Sequence, residues 1–229
     1  MTTPEGQIIG SSVKRIEDPR LLQGLGRYVG DVRLPGMLHA AVLRSPHPHA
    51  RLRRIETADA LKLRGVVAAF TATDLGPVGK IPVRLGPRPS LLASLQPPLA
   101  TDRVRYVGEP VVLVVAADRY AAEDALDGIA VDYDPLPCVA DAHRSMEAGA
   151  PILHEAVGSN VVEVFKMRKG DAEGAMAGAA CRVRERFTLN RHSGVPLETR
   201  GLLAAYDAGA RVLTVWGPTK VPHFNRRVL

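Results

Sequence analysis

Cysteine is nearly absent from this chain, aromatic side chains are sparse, and nowhere do apolar residues run long enough to cross a bilayer. Each shortage excludes something. Two cysteines, Cys138 and Cys181, cannot build a disulfide framework in 229 residues, and neither stands in a CxxC pair that would grip zinc or run thiol exchange. Both are expected as buried thiols in a reducing compartment. With aromatics at 4% and a single tryptophan, the core has to come from valine, leucine, isoleucine and alanine. No window approaches the roughly 18 apolar residues of a membrane helix. Residues Met1 to Ser12 lack the basic start and apolar stretch of a secretory signal. The expected location is the cytoplasm, with no membrane partner.

Periodicity is missing too. The 21 glycines and 18 prolines follow no repeat, which removes collagen-like and low-complexity classes. Charge of one sign is never blocked together. The 30 basic residues exceed the 24 acidic ones by six, but they interleave, as at Arg182, Arg184, Glu185 and Arg186. The aromatics do not form the pattern of an RNA-binding sheet, so no nucleic-acid partner is expected. A basic surface docking an acidic protein explains the charge equally well.

What is present reads as an α/β chain in two parts. A short helix or turn precedes Gly24, Met37–Arg44 is a strand, and the prolines of Ser45-Pro-His-Pro-His-Ala make a loop. Arg53–Ala58 is a strand leading to a short helix near Asp59–Leu63, closed by Gly65, and Val66–Thr71 is a strand of the buried kind. Residues 76–101, rich in proline and glycine, form a long irregular loop of the sort that carries function or an interface. Val111–Ala117 is the strongest strand. Asp118 caps a helix over Arg119–Asp127, Gly128 ends it, and Ala130–Tyr133 is a short strand. After a turn-rich crossing over Val139–Ser159 come extended chain at Val161–Met167, a helix over Asp171–Ala180, and a long strand over Cys181–Arg191. Strands at Leu202–Tyr206 and Val212–Trp216 follow, then a helical segment over Val221–Leu229.

Candidate chemical groups are few. Gly24-Leu-Gly-Arg-Tyr-Val-Gly lacks a preceding buried strand and reads as a turn rather than a phosphate cradle. His47 and His49 offer two imidazoles, but a zinc site needs a third protein ligand, and His39, His143, His154, His192 and His223 are isolated. No metal site is expected. Glu109 at the mouth of the strongest strand is either a raised-pKa acid or a salt-bridged or capping residue. His192 and Ser193 are sequence neighbours, wrong for a catalytic dyad on a strand, and no GxSxG elbow occurs. The residues alone describe an α/β protein without a self-contained active site.

Several phrases, taken together and in order, go further. They are Arg15-Ile-Glu-Asp-Pro-Arg-Leu-Leu-Gln-Gly-Leu-Gly-Arg-Tyr-Val-Gly-Asp, Leu34-Pro-Gly-Met-Leu-His-Ala-Ala, Arg44-Ser-Pro-His-Pro-His-Ala-Arg, Val104-Arg-Tyr-Val-Gly-Glu-Pro-Val, Tyr133-Asp-Pro-Leu-Pro and His192-Ser-Gly-Val-Pro-Leu-Glu. This series resembles the molybdenum-binding large subunit of the xanthine dehydrogenase, aldehyde oxidase and carbon monoxide dehydrogenase family, almost end to end.

The resemblance implies an α/β (α+β) fold: an N-terminal arm over 1–19, an α/β hammerhead domain over 20–134, a linker over 135–149, and the first part of a molybdopterin-binding domain over 150–229. It implies a molybdenum cofactor that hydroxylates an aldehyde or N-heterocycle, or oxidises carbon monoxide, with electrons leaving through iron-sulfur and FAD subunits. The family's glycine-rich GGGFG-type segment and catalytic glutamate would lie beyond Leu229. No catalytic residue is therefore expected in this chain, which would bind no cofactor alone and need a complementary molybdopterin-binding chain. In Val215-Trp-Gly-Pro-Thr-Lys-Val-Pro-His, Lys220 stands where many members carry a glutamine aimed at the molybdenum centre. A point-charge ammonium replaces an amide that donates and accepts, so Lys220 is the one candidate cofactor-binding residue, suited to an anionic group of cofactor or substrate. The alternative is a non-catalytic interaction or assembly module on the hammerhead fold.

Overall fold

The structure is a computed structural model and describes residues 9–83, 88–190 and 192–229. The chain divides into two compact units, one of Met1–Pro35 with Phe187–Pro222 and one of Gly36–Arg186 with His223–Leu229.

The larger unit is built on β1 (His39–Arg44), β2 (Ala50–Glu56), β3 (Val66–Phe70), β4 (Arg103–Val104), β5 (Pro110–Ala116) and β6 (Ala130–Pro135). They form two three-stranded sheets, ordered β1-β5-β3 and β4-β2-β6, with every pairing antiparallel. The run Pro-Val-Val-Leu-Val-Val-Ala makes β5 a central strand. Val111, Val112, Val114 and Ala116 are fully buried, so successive residues are covered and the strand carries no polar face.

After β5 the chain turns into α2 (Arg119–Asp124), following α1 (Asp18–Leu22) in chain order. The Asp118 carboxylate accepts the Ala121 N–H at 2.9 Å, the expected N-cap. The helix then tightens into a 3-10 turn over Ala125–Gly128, with Ala122 and Ala125 buried. Gly128 is required there. A Cβ would lie 3.0 Å from both Cα and N of Ala60, in the 3-10 turn Ala60–Lys62.

The succession β5, α2, β6 looked like a strand-helix-strand unit. In three dimensions its two strands belong to different sheets, so α2 is a connection between sheets and not a parallel crossover. β3 also differs from its buried reading. It is an edge strand, paired on one side only by β5, and Val67 is 57% exposed.

Beyond β6 the unit is turn-rich, as expected for 139–159. Asn160 binds this segment together: its side chain accepts the Leu153 N–H at 3.0 Å and donates to the carbonyls of Ser145 at 3.0 Å and Pro151 at 2.8 Å. Helix α3 (Ala172–Gly178) is capped by Asp171, whose carboxylate accepts the Gly174 N–H at 3.0 Å.

Two expectations for this region are overturned. Cys138 and Cys181 are both exposed. The long strand expected over 181–191, whose last position lies outside the described residues, is not formed among the described ones, and the extended chain at 161–167 joins no ladder there. A strand needs a hydrogen-bonding neighbour, and neither stretch has one here, so side chains such as Val183, Leu189 and Met167 stay uncovered and Cys181 with them.

The smaller unit contains α1, a 3-10 turn at Val29–Asp31, and an antiparallel hairpin of β7 (Leu203–Asp207) and β8 (Val212–Trp216), registered from Leu203–Trp216 to Asp207–Val212. Helix α4 (Pro222–Val228), which from His223 onward belongs to the larger unit, fulfils the helical reading of the last segment, with the Arg227 guanidinium 4.8 Å above the Phe224 ring.

Candidate functional site

The sequence candidates separate once their neighbours are seen. The His47 ring packs tilted against Tyr133 with centroids 4.8 Å apart, and the Nδ1 of His49 is 2.9 Å from the carbonyl of Pro137. Among the described residues, no three histidine, cysteine or carboxylate side chains gather into a metal-binding group. His192 and Ser193 are exposed and do not bond each other. The histidine ring lies 3.3 Å from the Asn190 carbonyl, and the Ser193 hydroxyl accepts the Val195 N–H at 3.2 Å.

Glu109 was left between two readings, and it combines parts of both. It is 2% exposed, and burial raises its pKa above the ordinary glutamate value. The peptide N–H groups of Arg105 and Tyr106 and the Arg105 charge pull the other way. Its Oε2 accepts the Arg105 N–H at 2.5 Å, closing the turn before β5. The same turn is tied to the Ser45 loop, because Gly108 N–H donates to the Ser45 carbonyl at 2.8 Å and Ser45 N–H to the Glu109 carbonyl at 2.9 Å. Glu109 is a capping residue and has no ion pair among the described residues.

Lys220 lies in the exposed loop that leaves β8, three positions after Gly217 and just before α4. Within the smaller unit, a cavity of about 470 Å³ is lined by Arg27, Tyr28, Val29, Val32, Glu198, Val215, Trp216 and Gly217. Glu198 ties its two stretches together, its Oε1 accepting the Val29 N–H at 3.0 Å. Gly217 sits tight against the start of β7: an added Cβ would be 2.6 Å from the Leu202 Cδ2 and 2.8 Å from the Gly201 carbonyl oxygen. The loop to Lys220 therefore leaves from a fixed point.

Neither Arg27 nor Lys220 has an ion pair among the described residues. The guanidinium of a cavity-lining arginine and an ammonium on the adjoining loop are donors suited to anionic groups. Sequence reasoning singled out Lys220 and missed Arg27 and Glu198. Both lay inside the recognised phrases, but their pairing of residue 29 with residue 198 leaves no local signal.

Two family models match successive parts of the chain: the a/b hammerhead domain of aldehyde oxidase and xanthine dehydrogenase over residues 23–137, and a molybdopterin cofactor-binding domain over 153–229. The large chain of carbon monoxide dehydrogenase from Afipia carboxidovorans is 39% identical over 97% of this chain and 29% of its own length. The nicotine 6-hydroxylase large subunit of Paenarthrobacter nicotinovorans is 37% identical over 97% of this chain and 27% of its own. The crystal structure of quinoline 2-oxidoreductase from Pseudomonas putida 86 superposes with a TM-score of 0.80 at 38% identity, covering 95% of this chain and 28% of that one. The chain thus spans less than a third of the length of these relatives. It belongs to the aldehyde oxidase and xanthine dehydrogenase family, with the hammerhead domain and a stretch of the molybdopterin cofactor-binding domain in succession.

Proposed function

We propose that this chain supplies the N-terminal portion of the molybdopterin-binding large subunit of a molybdenum hydroxylase, organised as an arm over 1–19, the hammerhead over 20–134, a linker over 135–149 and cofactor-domain chain from 150 onward. The observation that carries this reading is the ordered pair of domain matches. The enzyme would act in the cytoplasm on a small aldehyde, N-heterocycle or related substrate, or on carbon monoxide, together with a complementary molybdopterin-binding chain, an iron-sulfur subunit and an FAD subunit. The two exposed, unpaired cysteines suit a reducing compartment.

When bound, the molybdenum cofactor supplies the oxidation chemistry and the protein supplies orientation and charge. Lys220 is the residue we assign to it. Its Nζ donates to an anionic oxygen, where the glutamine of other members presents an uncharged amide. Gly217, held against Gly201 and Leu202, fixes where that donor begins. Glu198 keeps the 29 and 198 segments joined.

Co-purification of the tagged chain from its host, followed by molybdenum analysis, tests the proposal. A larger molybdopterin-binding chain and near-stoichiometric metal are expected in the eluate. Lys220→Ala should lower the retained molybdenum severalfold while leaving chain recovery unchanged. A chain recovered repeatedly without a molybdopterin-binding companion and without metal would overturn the assignment of a second, completing chain.

A further inference from the structure

Within the larger unit, the turn-rich segment after β6 forms a cavity of about 430 Å³ that the cofactor reading does not use. Cys138, Arg144 and Glu147 line it, with Ala148, Gly149 and Ala150 leaving room between them. A thiol, a guanidinium and a carboxylate thus face one space. A cavity with a few convergent polar groups is the usual form of a small-molecule site.

The backbone carrying these groups is fixed. The His49 ring bonds the Pro137 carbonyl at 2.9 Å and the Leu136 N–H donates to the His49 carbonyl at 2.9 Å, which anchors the chain entering Cys138. The Asp141 carboxylate accepts the N–H groups of His143 and Arg144, both at 2.8 Å, and Asn160 holds the carbonyls of Ser145 and Pro151. Arg144 opens the 3-10 turn Arg144–Met146 and Glu147 follows it. Side chains three apart in such a turn are near neighbours, and opposite charges at that spacing ordinarily pair. These two do not. Among the described residues, neither Arg144 nor Glu147 has an ion pair, and Cys138 is exposed and free.

From this arrangement we propose that the cavity binds an amino-acid or peptide disulfide of the glutathione type and that Cys138 is the residue it modifies. Arg144 takes the ligand's carboxylate, Glu147 takes its ammonium, and the thiol meets its sulfur. The Cys138 thiol gives its proton to water, and the thiolate attacks one sulfur of the ligand. The ligand's S–S bond breaks as the bond to Cys138 Sγ forms. The other half leaves as a thiolate and takes a proton from water. Cys138 is oxidised and the departing half is reduced, so no further oxidant enters the step, and a free thiol reverses it.

The chain carries its own reference, because Cys181 is also exposed but lies outside the cavity. Incubation of the 229-residue chain with oxidised glutathione, followed by mass mapping of both cysteines over time, provides the test. Cys138 should be modified about tenfold faster than Cys181, the effect of roughly one charge-assisted contact, with a rate that saturates in the disulfide. Hydroxyethyl disulfide, which has no charged groups, should show no such preference. Arg144→Gln and Glu147→Gln, at exposed positions, should each lower the Cys138 rate severalfold and leave the Cys181 rate alone. Lys62→Gln, which removes a charge from the exposed pair with Asp59, should change neither. Equal rates at the two cysteines, a preference shared by hydroxyethyl disulfide, or an Arg144→Gln chain that behaves as Lys62→Gln does would overturn the proposal.

Discussion

Replacing Gly217 by alanine puts the base of the Lys220 loop to a direct test. The added Cβ would stand 2.6 Å from Leu202 Cδ2 and 2.8 Å from the Gly201 carbonyl oxygen. The first contact is cheap, because Leu202 is 77% exposed and its side chain can rotate away. The second is backbone. Gly201 and Leu202 lead directly into β7, whose Leu203 is registered against Trp216, so relieving a shortfall of about half an ångström means pulling apart the end of the hairpin. Overpacking of this kind costs about 1–3 kcal/mol.

Urea unfolding followed by tryptophan emission reads this locally, since Trp216 is the only tryptophan and borders both Gly217 and the cavity. The midpoint should fall by the equivalent of about 1–3 kcal/mol, and the native emission should change. Gly30→Ala is the control, as its Cβ would meet nothing within 4 Å. If Gly217→Ala and Gly30→Ala gave the same midpoint and the same emission as the unsubstituted chain, the tight origin assigned to the Lys220 loop would be wrong.

Other consequences can be measured on the same chain. Glu109 has a raised pKa in the folded protein, chiefly from burial. Between the unfolded value near 4.5 and the folded value, the native state keeps a proton the unfolded state has lost, so stability falls as pH rises through that window. Glu109→Gln keeps a carbonyl acceptor for the Arg105 N–H and should flatten that slope in urea midpoints recorded from pH 4 upward; an unchanged slope refutes the assignment. Asn160→Ala removes three hydrogen bonds that join residues 145, 151 and 153, and should cost about 1–3 kcal/mol, with faster amide exchange at Leu153. Val112→Ala deletes two fully buried methyl groups and leaves a void, for a loss of about 2–3 kcal/mol by thermal or urea unfolding. Val67→Ala, on the half-exposed edge strand, should cost less than about 1 kcal/mol by the same measurement.

Local rules served well where the cause of a structure lies within a few residues. Asp118 caps α2 because its carboxylate meets an N–H three positions on, and β5 is buried because all seven of its residues are apolar with no polar alternation. The ordered phrases from Arg15 to Glu198 were enough for family membership, since identity of sequence needs no coordinates. Lys220 could be named from its place after Val215-Trp-Gly-Pro-Thr, and the structure puts it on an exposed loop.

Other features depended on partners distant in the chain. Whether Cys181 is buried depends on a neighbouring strand, and the stretch after it has none among the described residues. β5 and β6 could be read as strands, but their assignment to different sheets follows from antiparallel registers with β1, β3 and β2. The Val29–Glu198 bond spans 169 positions, and the bonds from Ser45 to Gly108 and Glu109 tie a loop to a turn that is remote in the chain. Composition and local pattern thus determined the elements, their caps and the family. Tertiary structure alone decided which faces are covered and which charges meet, because burial and electrostatics act through space and not along the chain.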